Sequence, residues 1–429
     1  MSKIYLCFSL WFFSLPLCAE YQMPAYSQGT VEAADGLTLA NAIGLVLQAN
    51  PEISVAKRER EAIEGAQVQA AVRPNPSVLT TMEDTRNATR QTTLQLNQPI
   101  ELGNKRAIRI EAAEIRYNAA TADIDQIKAE IRASVISAFY DVMAAQERLE
   151  LAKSTLELAQ RASDAASKRV RAGKVSPVEE TKAKVAEAGV RVELNQAASQ
   201  LNTTRKKLAA LWGNSTPRFE RVLGQIDVLP VVDAIDDLTN RLQNAPALKR
   251  ARLEIDRRDA LAKVESSKRT PDLTVSVGAR RNEELGLNQA VFGLSIPIPV
   301  FDRNQGNLQE ALSRTDKARD EFVALEVQQT NALAEAYERF LAAKQESESL
   351  QTEILPGAQS AYDAAVKGFE FGKFGFLDVL DAQRTLFQAR SQYLNALLKA
   401  HQAGADIERL VGDSPNSGNA APALAQHQE

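Results

Sequence analysis

"EFGKFGFLDV", residues 370–379, answers "RAGKVSPVEE", residues 171–180: a Gly-Lys pair that ends one helical pattern, then an acidic residue just inside the next. Gly173 and Gly372 can take a left-handed cap without steric cost, and Ser176-Pro177-Val178-Glu179 restarts a helix as a capping box with proline at its first position. Two helices joined by so short a turn run antiparallel. The fold turns on whether the rest of the chain repeats at the same spacing.

It does. "LQANP" at 47–51 recurs as "LQNAP" at 242–246, "QPIELGNKR" at 98–106 as "IPIPVFDRN" at 296–304, and "FYDVMAAQE" at 139–147 as "YERFLAAKQ" at 337–345. With the two turns and with "LWGNS" at 211–215 against "LVGDS" at 410–414, the five offsets run from 195 to 199 residues in chain order. That is a tandem duplication. Each half reads as helix, two-strand hairpin, long helix, returning helix, beginning near Thr38 and Asp236. The organisation expected is a leader at 1–19, a loop at 20–35, repeats at 36–230 and 231–413, and a disordered tail at 414–429.

Ile124, Ile127, Ile131, Val135, Ala138, Val142 and Leu149 are spaced as in a coiled-coil seam. No proline interrupts from Asn104 to Arg171, so this helix would reach about 100 Å at ~1.5 Å per residue. Flanking alanines admit neighbours on both sides. Pro356 falls within the matching run of the second half and is expected to kink or divide it.

The hairpins show period-two alternation. Leu273, Val275, Val277 and Ala279 alternate with Thr274, Ser276, Gly278 and Arg280, and Ala290, Phe292, Leu294 and Ile296 with Val291, Gly293 and Ser295. The first half is less clean: Gln91, Thr93, Gln95 and Asn97 alternate with Thr92, Leu94 and Leu96. Such a pattern suits a barrel wall facing lipid, or a half-buried sheet in a soluble domain. Four short strands cannot close a membrane barrel; two copies supply eight and three supply twelve, and only twelve leave a lumen.

The 429 residues carry 51 basic and 55 acidic side chains, a formal charge of -4, so no basic field exists to hold nucleic acid. "MSKIYLCFSLWFFSLPLCAE" has the layout of a signal peptide cleaved after Ala19, with lipid attachment at Cys18 as the alternative. Both cysteines, Cys7 and Cys18, lie in that leader. Without them, and with only His401 and His427, no soft-donor metal cluster can be assembled within one chain, and no cofactor motif is present.

The signal peptide, the duplicated halves and the paired turns resemble the TolC-like outer membrane efflux protein family across residues 36–413. "VRPNP" at 72–76, "QPIELGNKRAIRI" at 98–110 and "IPIPVFDRNQGN" at 296–307 narrow the likeness to its CzcC-like branch, the outer membrane channels of cobalt-zinc-cadmium efflux systems. The resemblance implies a mostly α fold with a small β part. Long antiparallel coiled-coil helices would form a periplasmic α-barrel, and four strands per chain would contribute to a trimeric twelve-stranded outer membrane β-barrel. It further implies a homotrimer in outer membrane lipid that works with a periplasmic membrane fusion (adaptor) protein and an inner membrane pump of the resistance-nodulation-division (RND) class. Such a channel is a passive conduit for heavy-metal cations, not an enzyme.

In that family, aspartates of a matching "DVLDA" line the periplasmic entrance, which makes Asp378 and Asp381 gate candidates, with Glu179 at the matching place in the first repeat. The plainer reading of Asp378 and Glu179 is helix capping near a positive dipole end. Rings of carboxylates also favour cations. Gly173, Lys174, Val175, Ser176, Val178, Gly372, Lys373, Phe374, Gly375, Phe376 and Leu377 form the tips and are candidates for adaptor contact. Their apolar members equally suit packing between hairpins, and Lys174 and Lys373 suit either pairing with gate carboxylates or plain solvation.

Two further readings stay open. A drug channel or a channel for a type I secreted protein shares the family, and a periplasmic coiled-coil adaptor or scaffold shares the leader and helices but not the duplicated strands. Catalysis has little support: no nucleophile elbow, phosphate loop or metal signature occurs.

Overall fold

The computed structural model describes residues 36–412, so the leader with its cysteines, the loop at 20–35 and the tail with His427 lie outside the described residues. The first half begins with strand β1 (Leu37–Thr38) and helices α1 (Leu39–Ala49) and α2 (Pro51–Ala70). One continuous helix was expected here. Pro51 has no N–H to donate and restarts the chain at a first helical position, while the Asn50 carboxamide accepts from the Glu52 and Ile53 N–H groups at 2.8 and 3.1 Å. Asn50 also donates to the Leu211 carbonyl at 2.8 Å, joining the start of the half to its end.

Strands β2 (Ser77–Glu83) and β3 (Gln91–Ile100) follow, then α3 (Lys105–Arg171), an unbroken helix of 67 residues, and the returning α4 (Pro177–Ala210). A short β4 (Val222–Leu223) pairs in parallel with β1, a link that so brief a pair of segments gives no alternation to reveal.

The second half repeats the order: α5 (Ile235–Leu242), α6 (Pro246–Ser267), β5 (Leu273–Asn282), β6 (Leu287–Ser295), α7 (Gln305–Ser349), α8 (Leu355–Glu370) and α9 (Phe376–Val411). Pro246 divides the first helical segment as Pro51 does. Between α7 and α8 lies a π-helical turn, Leu350–Ile354, directly before Pro356. The widened turn gives the proline ring room against the preceding carbonyls, so the helix is divided as expected without being cut.

The structure shifts the repeat register at one place. Asn104 and Asn304 both adopt left-handed backbone, φ 59° and 56°, immediately before α3 and α7. They are 200 residues apart, not the 198 given by matching Pro99 to Pro297; Pro299 is the equivalent proline.

One antiparallel sheet, β2-β3-β5-β6, gathers both hairpins. Its register places Val78, Leu96, Val277 and Phe292 in one row and Thr80, Leu94, Ala279 and Ala290 in another. Apart from Thr80 these side chains are apolar, and they share with Leu294 a face that is open to solvent, with Phe292 79% exposed and Leu294 75%. The opposite face carries Gln95, Asn97, Thr93, Ser276 and Arg280, and there Thr93 and Ser276 are buried. The more enclosed face is thus the polar one, as in a wall with lipid outside and water inside. No helix among the described residues is long and apolar enough to cross a membrane.

Below the sheet, α3 is buried on two sides. Ile131, Val135, Phe139 and Val142 join Val46, Leu208 and Phe219 in one cluster, while Ala133 and Ile136 meet Ala405 in another. Each fully buried Phe or Leu contributes about 1.5–3 kcal/mol. Of the expected seam, Ile127, Ala138 and Leu149 are only half-buried. Farther along, small residues continue the buried stripe at Ala152, Thr155, Ala159, Ser163 and Ala166, which lets helices approach closely.

His401 links the halves. Its ring stacks on Tyr140 at 3.5 Å and 14°, and its Nε2–H donates to the Ile226 carbonyl at 2.8 Å. Burial holds its pKa down at about 4, against the opposing effect of that carbonyl. An unfolded chain protonates this imidazole near pH ~6.5, whereas the native one resists until about 4, so the unfolded state binds more protons between. Stability from this group is complete above pH ~6.5 and about 3 kcal/mol is lost as pH falls to about 4. Thermal unfolding of His401→Gln should show a flatter pH dependence than wild type across that window.

Candidate functional site

Both tips are built by the same backbone device. At the end of α3 the Gly173 N–H donates to the Val170 carbonyl and Lys174 N–H to Arg169, each at 2.9 Å; at the end of α8 the Gly372 N–H donates to Phe369 at 2.9 Å and Lys373 N–H to Gly368 at 2.8 Å. These are Schellman closures, and φ of 70° at Gly173 and 74° at Gly372 is what requires glycine. Lys168, Arg169 and Arg171 in the last turn of α3 complement the negative dipole end.

The restart differs between tips. Ser176 Oγ accepts from the Val178 N–H at 3.3 Å, but among the described residues the reciprocal bond expected from Glu179 is not formed. Its neighbour Glu180 works instead, accepting from Ser167 Oγ at 3.0 Å across the turn and pairing with Lys184 at 2.7 Å. Those two bonds, Lys184 first, lower the Glu180 pKa. In the second tip Asp378 Oδ2 accepts from the Gly375 N–H at 2.8 Å, so Asp378 does cap α9. Capping leaves its carboxylate exposed, and Asp381 is exposed one turn farther along.

The two aspartates share one face of α9 because the other is occupied. Phe376, Val379, Gln383 and Leu386 are buried at spacings of three and four, with Gln383 donating to the Thr155 carbonyl of α3 at 3.3 Å. Phe376, only 2% exposed, sits with Ala166, Ala183 and Phe369, its ring edge-on to Phe369 at 6.0 Å. Of the readings given for Phe376, packing between hairpins describes this protomer, and the ring is not offered to a partner. Phe374 stands half out, and its ring covers Gly368, where a side chain would collide with it. Val178, Leu377 and Phe371 are exposed and Val175 is half-buried. Among the described residues Lys174 and Lys373 form no ion pair with Asp378, Asp381 or Glu179.

Sequence reading missed Arg169. Its guanidinium lies 4.6 Å from the Phe369 ring centroid and donates to the Phe369 carbonyl at 3.2 Å, clasping one hairpin to the other. A cation in a last helical turn reads as a dipole partner, and only the fold shows the second contact. Among the described residues no group of three or more His, Cys, Asp or Glu side chains is arranged to hold a metal ion.

Two hairpin tips joined side by side, a duplicated helical body and a sheet with an apolar outer face match a known architecture. The family model "Outer membrane efflux protein" matches residues 42–214 and 238–413. The chain belongs to that family. This outer membrane efflux protein is 47% identical over 381 residues to the cobalt-zinc-cadmium resistance protein CzcC of Cupriavidus metallidurans, covering 89% of the chain and 91% of that relative. Against the nickel-cobalt-cadmium resistance protein NccC of Alcaligenes xylosoxydans xylosoxydans it is 29% identical over 54% of the chain and 52% of the relative. Among solved structures, VceC of Vibrio cholerae has TM-score 0.74 at 20% identity, covering 87% of this chain and 96% of that one. Family membership places the protein in the outer membrane as an efflux channel.

The packing at the tip gives a measurable contrast. Phe376→Ala removes a buried ring and should destabilise the joined hairpins by about 3–5 kcal/mol, seen as faster proteolytic nicking at residues 172–176 and 371–375. Phe374→Ala, at a half-exposed ring, should accelerate nicking much less.

Proposed function

We propose that three copies of the chain form a passive conduit that exports heavy-metal cations, coupled by an adaptor to an inner membrane pump of the RND class. The observation that carries the reading is the four-stranded sheet with an exposed apolar face and two edges, β2 and β6, that find no partner strand among the described residues. Unpaired backbone groups are intolerable in hydrocarbon, so the edges call for partners; three copies supply twelve strands and a lumen. The cargo reading is supported by CzcC and NccC, which are named for resistance to cobalt, zinc, cadmium and nickel. The chain performs no chemistry on its cargo.

Asp378 and Asp381 are the proposed gate. They are exposed on the one face of α9 not used for packing within the protomer, so three copies would bring six carboxylates around a common axis. Rings of this kind concentrate cations. The exposed tip residues Val178, Phe371, Phe374 and Leu377, with Lys174 and Lys373, are the proposed adaptor surface.

Growth of a deletion strain, with and without the restored gene, across graded cobalt, zinc, cadmium and nickel and a panel of drugs tests the cargo. Sensitivity to metals alone is expected; sensitivity to drugs alone would overturn the cargo and keep the channel. For the gate, Asp378→Asn with Asp381→Asn retains a capping oxygen at 378 while removing charge. The double variant should raise single-channel conductance in planar bilayers and weaken cation preference, and unchanged values would remove both residues from the gate.

A further inference from the structure

The base of the sheet holds a feature that conduction does not use. All four strand-to-helix linkers, residues 71–76, 101–104, 268–272 and 296–304, leave the sheet at this end. The last has an uncovered apolar stretch: beyond Leu294, Ile296, Ile298, Val300 and Phe301 are all exposed, Ile298 to 83% and Phe301 to 91%. Pro297 and Pro299 deny this segment two N–H groups, so it cannot extend the sheet as an ordinary strand.

Directly beside it, Ser266, Arg269, Thr270, Pro299 and Arg303 line an open cavity of about 510 Å³. Carboxylates near this rim are already engaged. Glu265 pairs with Lys268 at 2.6 Å and accepts from Asn304 at 2.8 Å, Asp272 pairs with Lys105 at 2.6 Å, and Glu101 pairs with Arg109. Asp302 accepts from the Asn304 N–H at 2.9 Å. Arg269 and Arg303 have no carboxylate within ion-pair distance among the described residues; the Arg303 guanidinium donates to the Pro299 carbonyl at 3.3 Å and its backbone N–H to Gln305 Oε1 at 2.9 Å. Arg73, on the neighbouring linker, and Arg106, in the first turn of α3, are likewise without one, Arg106 donating to the Ala71 carbonyl at 2.8 Å.

We infer that this rim binds an anionic phospholipid of the periplasmic leaflet, its phosphate between Arg269 and Arg303 and its acyl chains along Ile296, Ile298 and Phe301. The charge and the apolar strap are complementary to such a lipid in the order in which the lipid presents them. Guanidinium forks hold phosphate oxygens in pairs, Ser266 and Thr270 hydroxyls add donors, and the strap continues the lipid-facing band of the sheet. The inference rests on the reading that the sheet spans the outer membrane with this end toward the periplasm.

The test uses full-length trimers in detergent, with bound lipid counted by native mass spectrometry against phosphatidylglycerol and phosphatidylcholine. Wild type should retain phosphatidylglycerol preferentially, and Arg269→Gln with Arg303→Gln should weaken that retention about thirtyfold. Equal retention by the variant, equal retention of the two lipids by wild type, or full displacement by inorganic phosphate would each overturn the site. If the glutamine variant does not trimerise, Arg269→Lys with Arg303→Lys, which keeps charge, must still prefer phosphatidylglycerol; loss of preference in intact trimers overturns it. Loss of trimers from Ile298→Ser with Phe301→Ser would show the strap to be a contact between protomers and likewise overturn it. Insertion into liposomes is followed separately. Failure of wild type to insert refutes the membrane reading, whereas normal insertion without lipid preference refutes only the lipid site.

Discussion

Everything in this molecule answers to the backbone hydrogen bonds at the edges of one small sheet. A four-stranded wall with Val277, Phe292 and Leu294 facing outward is suited to lipid, yet in lipid each unpaired N–H and C=O on β2 and β6 carries a cost of several kcal/mol. Closure with other copies removes both edges at once. In the proposed trimer the helical body would hold three walls in register, a task that suits an α3 that is long, proline-free and buried on two faces.

The body solves that problem with two kinds of seam. Midway along α3, branched and aromatic side chains such as Val135, Phe139 and Leu208 form a broad core. Toward the tips the stripe narrows to alanine, serine and threonine, and backbones come close enough for Gln383 to reach the Thr155 carbonyl. Rigidity there comes from proximity and a few directed bonds more than from buried area, a suitable basis for the proposed gate to open.

Much of this was legible in the sequence where one residue type has one physical use. Gly173 and Gly372 are stops because of their left-handed backbone, the absence of proline over α3 marks its length, and the alternation in β5 and β6 marks both faces. The opaque parts needed long-range contacts. Phe376 reads equally as an exposed partner contact or as packing between hairpins, and only the packing of the second hairpin on the first decides for burial. Asn50 falls inside what the sequence offers as one helix, and its bond to Leu211 spans 161 residues. Pro99 could be matched to either of two prolines, and the left-handed asparagines decide between them. For the proposed gate, the motif located the aspartates, but the buried face of α9 explains why both are free to point elsewhere.

The π-turn at Leu350–Ile354 has a consequence for symmetry. From Gln305 to Glu370 the second outbound arm runs one residue fewer than Lys105–Arg171, and its widened turn rises less per residue. The two hairpins of a chain are therefore unequal in reach despite their common origin. In the proposed ring of three chains, six tips would alternate in two kinds, so identical partner molecules docking between tips would meet two non-equivalent seats, and stoichiometry would follow from which kind they accept.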